Sequence, residues 1–228
     1  ELFAETADEA VQHIAGEISG LLSMAAQAGS LLLRMTPYVR AVRVLNELSS
    51  VAVSDGILLE LGSFYAAEVR KLVLTFDIPG IEALGLVEIA SLEFSYIALP
   101  ALEQQVITVP LHVNVVPGDQ AAGRVPDPVV RTEVAFQRAQ HAKREASIAL
   151  SAGDASAAQT SLLAARRIVE DAGAFAPPAM TAELRDELAV LSQLEEEVRS
   201  GNVSRAAKRS SMDASSKSRS SRGRLRPQ

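Results

Sequence analysis

The chain contains no cysteine and no tryptophan, and aromatic residues make up only 4% of its 228 positions. Without cysteine there are no disulfides, no thiolate nucleophile and no Cys-based metal site, so an oxidising compartment is neither required nor excluded. With so few aromatics the core has to be built from aliphatic side chains and alanine, and a hydrophobic fraction of 48% is enough to build one. Also missing are a G-x-S-x-G elbow, a Gly-rich phosphate loop and an H-E-x-x-H pair. The three histidines, His13, His112 and His141, fall on different predicted elements, with no second histidine or paired carboxylate at ligand spacing. They read as solvated or rim histidines. The expectation is therefore a chain that is not an enzyme, with no catalytic, cofactor-binding or metal-ligating residue assigned.

Membrane and export signals are equally sparse. The first residues, ELFAETADEAVQHI, lack the basic start and apolar run of a secretory signal. Because the chain starts on Glu1 rather than Met, further residues are expected upstream. The longest uncharged stretch, residues 18–33, is broken by Ser19, Gly20, Ser23, Gln27, Gly29 and Ser30, so no transmembrane segment is predicted. Cytoplasmic placement is expected, with an extracytoplasmic one left open by the missing start.

What is present is a change of pattern near residue 118. Before it, Thr6 and Glu9 have capping-box spacing, and Val11, Ile14, Ile18, Leu21 and Leu22 mark one face of a helix that Gln27, Ala28 and Gly29 end. That face needs a partner surface, and the expectation is that it folds back onto the β-domain or self-associates. Short apolar runs then follow at 31–35, 39–45, 51–53 and 57–61, with Ser54-Asp55-Gly56 as a tight hairpin turn. The run at 69–76 puts Leu72, Leu74 and Phe76 on one face. Next, Val87 and Ile89 share one parity while Leu92, Phe94 and Tyr96 take the other, which calls for a bulge near Ala90-Ser91. Ile107, Val109, Leu111, Val113 and Val115 alternate with polar residues, and Pro110 among them predicts an edge strand or a second bulge. About seven strands joined by short turns predict an antiparallel β-sandwich.

Pro117-Gly118-Asp119 and Val125-Pro126-Asp127-Pro128 bracket a linker, expected to be crossed by few contacts and open to proteases. Asp127 caps the next helix with Pro128 at its first position. Three helical stripes follow: Ala135, Ala139, Ala142, Ala146 and Ala149; Ala158, Leu162, Ala165, Val169 and Ala172; Leu184, Leu188, Leu191, Leu194 and Val198. They predict a helical hairpin or three-helix bundle. GDASAA from Gly153 and GNVSRA from Gly201 echo each other as helix-to-helix joints, in the manner of tetratricopeptide-like pairs. Glu195, Glu196 and Glu197 point in different directions on a helix, which fits a solvated face better than a cation site. Lys143-Arg144 and Arg166-Arg167 read as exposed pairs.

From Gly201 on, eight Lys/Arg stand against Asp213 alone, a charge of +7, so residues 1–200 carry −13 of the total −6. The tail's Ser-rich composition lacks apolar residues to bury and predicts disorder. Its basic residues, Arg205, Lys208, Arg209, Lys217, Arg219, Arg222, Arg224 and Arg226, are the candidate polyanion contacts. The acidic body opposes a nucleic-acid partner, and no interleaved aromatics offer a stacking platform.

The order of parts resembles a known family. FAETADEAVQHIAGEISGLL, then VPLHVNVVPGD, then DPVVRTEVAFQRAQHAKREASIALSAGDASAA and a basic end resemble the region after the metal-binding half of bacterial von Willebrand factor type A (VWA) domain-containing proteins. These are the ones akin to calcium-activated chloride channel and inter-alpha-trypsin inhibitor heavy-chain homologues. The resemblance implies that residues 1–27 are the terminal helix of a truncated α/β VWA domain. It also implies that the family's D-x-S-x-S cation loop lies upstream, with Mg²⁺ or Ca²⁺ expected only there. Asp154-Ala155-Ser156 and Asp213-Ala214-Ser215 have the first two members of that loop and lack the last serine, so no metal residue is carried over.

The expected division is residues 1–27 terminal helix, 28–118 β-sandwich, 127–200 helical bundle and 201–228 disordered basic tail. The expected role is a non-catalytic scaffold with a protein partner. The alternative is nucleic-acid or acidic-partner binding through the tail.

Overall fold

The computed structural model describes residues 24–66, 68–121 and 124–219. The predicted helix stripe at Val11 to Leu22 and the last residues of the tail lie outside them.

Among the described residues, seven strands form where the alternating apolar runs predict them: β1 (Met24–Met35), β2 (Ala41–Val44), β3 (Ser50–Val53), β4 (Gly56–Tyr65), β5 (Leu74–Asp77), β6 (Gly85–Ala98) and β7 (Glu103–Val115). Five join one antiparallel sheet in the order β3-β4-β1-β6-β7, while β2 pairs only with β5. This corrects the β-sandwich. β2 and β5 are four residues each, a ribbon too short to make a second full sheet. It also corrects the boundary at residue 27, because Met24 to Gln27 already run in β1, pairing with β4 and β6.

Direct pairing sets one apolar face. Leu31 and Leu33 lie opposite Leu59 and Ile57 on one side and Phe94 and Leu92 on the other. Phe94 and Leu92 in turn face Ile107 and Val109. The centre is dry, with Leu33 and Leu59 fully buried, and the face opens toward β7, where Ile107 and Val109 are 48% and 47% exposed. The bulge falls between Glu88 and Ala90, one residue before the predicted place, and it lets both apolar sets of β6 turn inward. Pro110 sits in an edge strand, where a missing N–H leaves no ladder bond unmade. Ser54 and Asp55 form the two-residue turn, and Gly56 beyond it is required: a Cβ there would lie 2.0 Å from the Leu33 carbonyl oxygen of the adjacent strand.

After a helical turn at Gly118–Ala121 come four long helices. They are α1 (Pro128–Ser151), α2 (Ala155–Gly173), α3 (Thr181–Arg199) and α4 (Val203–Arg219). Asp127 caps α1 by accepting from the N–H groups of Val129 and Val130, and Asp154 caps α2 through Ala157 N. The two echoed joints share a cause. Gly153 and Gly201 both adopt φ +81, and Asp154 N and Asn202 N donate back to Ala149 and Glu197 carbonyls at 2.9 Å. This is the left-handed stop that an L side chain resists. The predicted stripes meet in one core that includes Ala139, Ala146, Leu162, Val169, Leu191 and Leu194.

α4 is the main correction. Residues 203–219 form a fourth helix rather than a disordered tail, so the bundle neither stops at residue 200 nor has three helices. Ala206, Ala207, Ser210, Ala214 and Ser218 are buried. They recur on one face, and their small size brings α4 close to α1, where hydroxyls bond across: Ser210 Oγ to Lys143 O at 2.6 Å, Ser147 Oγ to Ala207 O at 2.8 Å. Serine polarity, read as solvation, is satisfied inside the bundle.

Candidate functional site

Among the described residues, charge meets burial inside the bundle and again where the β-domain joins it. The first is a cluster inside the bundle. Lys143 has no exposed surface and Glu187 only 1%, which corrects the sequence expectation that Lys143-Arg144 is an exposed pair. The Lys143 ammonium donates to Glu187 Oε1 at 2.5 Å and to Asp213 Oδ2. Lys217 donates to Glu187 Oε2 at 2.7 Å and pairs with Asp213 Oδ1 at 2.9 Å, and Gln140 Nε2 adds a bond to Glu187 at 3.1 Å. Burial by itself would raise the Asp213 carboxyl, but the ammoniums of Lys143 and Lys217 outweigh it and hold the group below its ordinary value. Burial would likewise lower Lys217, and the carboxylates of Glu187 and Asp213 outweigh that and raise it. Two cations face two anions, each at hydrogen-bond distance. Such a cluster clamps α1, α3 and α4 together and leaves no free acid or base.

The second place is the junction of the β-domain with the bundle. Asn46, 6% exposed, accepts from Val73 N at 2.7 Å and donates to Lys71 O at 3.0 Å and Ser218 O at 2.8 Å. Glu47 N donates to Ser218 Oγ at 2.6 Å, its carboxylate pairs with Arg144 and accepts from Ser215 Oγ, and Lys71 pairs with Glu133 at 2.6 Å. The linker expected to be crossed by few contacts is therefore bypassed by polar ties through α1 and α4. Beside them lies a groove of about 590 Å³ between β2 and α1–α2. Val44, Leu45, Ala142, Ala164 and Ile168 form its floor, and Arg43, Arg138, His141 and Glu145 its rim. A smaller hollow of about 240 Å³ continues it past His141 to Asn46 and Arg144. Gln140 Oε1, in that hollow's wall, is a buried acceptor with no donor.

The predicted polyanion contacts do not converge. Arg209 pairs with Glu197 and donates to Gln193, Arg205 lies 3.8 Å from Glu197, and Lys217 belongs to the buried cluster. Lys208 is exposed, while the Arg219 side chain, Arg222, Arg224 and Arg226 lie outside the described residues. The glutamate run is also corrected in part: Glu195 holds Arg166 at 2.7 Å, Glu197 holds Arg209, and both are mostly buried, leaving only Glu196 on a solvated face. His112 lies on exposed β7, and His141 stands 3.6 Å from Glu145, 73% exposed.

Neither partial D-x-S segment fits a divalent cation. Asp154 spends its carboxylate on a helix cap, and Asp213 is held by two ammoniums. Among the described residues no group of three His, Asp or Glu could hold a metal, and no helix is long and apolar enough to cross a membrane.

No family model and no curated protein matches the chain. Among solved structures, it is similar to a von Willebrand factor type A protein from Catenulispora acidiphila. That likeness has a TM-score of 0.56 and 12% identity, covering 83% of this chain and 44% of that one. It is also similar to the ArnB paralog VWA2 from Sulfolobus acidocaldarius, at TM-score 0.48 and 15% identity over 84% of this chain and 42% of that one. The chain thus spans less than half the length of the structures it matches. The first likeness shows a shared fold: the architecture is one found within a VWA protein.

Proposed function

We propose that this chain is a non-catalytic scaffold and protein-interaction region of a VWA-type protein, bacterial and akin to the chloride-channel and inter-alpha-trypsin inhibitor homologues. The observation that supports it most is the contrast between its two charged places. The buried cluster is closed and fully paired, whereas the groove between β2 and α1 is open, apolar-floored and placed where the β2–β5 ribbon is tied to the bundle. A rigid groove on packed elements is a docking feature. Any divalent-cation chemistry of such a protein is assigned to a part other than these residues, since neither Asp154 nor Asp213 is available for it.

The test is a photo-crosslinking residue at position 164, in the groove floor, compared with one at Val51, exposed on edge strand β3. In cells that naturally express the protein, the residue at 164 is expected to yield a discrete protein adduct that survives deletion of residues 220–228. No adduct at 164, or equal adducts from Val51, would remove the groove as the docking site. An adduct that depends on the deleted residues would favour the basic tail instead.

A further inference from the structure

We infer that the partner segment seated in this groove is a short acidic peptide anchored by an aliphatic side chain, an inference that rests on the docking reading above. The floor supplies the anchor's contact: Val44, Leu45 and Ile168 present aliphatic surface, and Ala142 and Ala164 leave room above it. Its volume of about 590 Å³ lies in the range of pockets that hold a compact ligand, roughly 300–1,000 Å³. The rim supplies the charge. Arg40 and Arg144 hold Asp77 and Glu47, but Arg43 and Arg138, which line the groove, hold no carboxylate among the described residues. Each guanidinium is a fork shaped for a carboxylate. The single carboxylate in the lining, Glu145, faces His141.

The surroundings decide for a peptide over a nucleic acid. Residues 1–200 carry −13, so a long polyanion leaving the groove would run onto a repelling surface, while a short segment feels mainly the two guanidiniums. The lining also has no Phe, Tyr or Trp for bases to stack on.

Random short peptides displayed on phage are selected on the immobilised chain, and the winners are resynthesised for fluorescence anisotropy beside a single-stranded oligonucleotide of equal charge. The expected winners carry Leu, Ile or Val flanked by Asp or Glu, and they bind at least about tenfold more tightly than versions with Lys in place of the acids. Arg43→Glu with Arg138→Glu should weaken binding about tenfold or more, and Ala164→Trp should abolish it. All three positions are exposed, and thermal melts by circular dichroism confirm that the variants fold. Winners without acidic residues, indifference to the double charge reversal, or tighter oligonucleotide binding would overturn the acidic partner. If neutral peptides bind and Ala164→Trp blocks them, docking stands and only the charge assignment falls. If no peptide is enriched, both fall.

Discussion

The side-chain amide of Asn46, in the loop between β2 and β3, donates to the backbone carbonyl of Ser218 at 2.8 Å, across 172 positions of sequence. The same side chain holds Val73 N and Lys71 O, so one buried residue ties two segments of the β-domain to the far end of α4. Ser218 returns the tie by accepting from Glu47 N while donating to Gln137 Oε1 at 3.0 Å.

Asn46→Ala should therefore be strongly destabilising. It strands a buried N–H and two carbonyls at once, each worth about 1–3 kcal/mol when unsatisfied, so a total loss of about 3 kcal/mol is expected. Urea denaturation measures it, and Asn46→Asp should not rescue because it cannot donate to the two carbonyls. A loss below about 1 kcal/mol would mean that the junction relaxes around the gap.

The buried cluster predicts a non-additive pair. Lys143→Met alone leaves the Glu187 carboxylate buried with its closest cation gone and should cost about 3–5 kcal/mol. Adding Glu187→Leu removes that buried charge, left with Lys217 as its cation, and should recover a large part of the loss. The double-mutant cycle is the readout, and additive losses would show that the two charges act independently.

Stability should fall at both ends of the pH scale through this cluster. The Asp213 carboxyl is held below its ordinary value of 3.8, so its contribution is present above that value and lost as pH falls through the lower folded one. Lys217 is held above 10.5, so its contribution is present below that value and lost as pH rises through the higher folded one. Asp213→Asn should lower the melting temperature at neutral pH and show a shallower acid decline than the parent chain. Parallel curves for the two would place the acid limb elsewhere.

Truncation after residue 202 should damage more than a tail. It removes the helix that packs on α1 at Gln137, Lys143 and Ser147 and breaks the Asn46 and Glu47 ties. The expected result is a lower melting temperature together with faster cleavage in the linker at 118–127. A truncated chain that melts like the full one, with an equally resistant linker, would show that α4 packs without consequence.

Much of the fold was legible locally. The strand runs, the Ser54-Asp55-Gly56 turn, the edge position of Pro110 and three helical stripes all follow from short-range periodicity and turn chemistry, and the bulge falls within a residue of where the parity change puts it. The cluster was half legible. Lys143 falls in phase between Ala139 and Ala146, and Glu187 between Leu184 and Leu191, positions where a charge breaks an apolar stripe and so asks for a buried partner. Nothing in either helix names that partner.

What the sequence determined by itself was the set of elements, because helix and strand periods, caps and turns depend on residues a few positions apart. What only the tertiary structure decided was the fate of α4 and of the charges. The alanines and serines of residues 206–218 bury too little apolar surface to announce a helix alone. They become a buried face only when α1 comes within hydrogen-bond reach, Ser210 of α4 donating to the Lys143 carbonyl and Ser147 of α1 donating to the Ala207 carbonyl. Whether a lysine is solvated or enclosed depends likewise on what stands opposite it. For Lys143 that is Glu187 and Asp213, 44 and 70 residues along the chain, distances at which only packing can bring charges together.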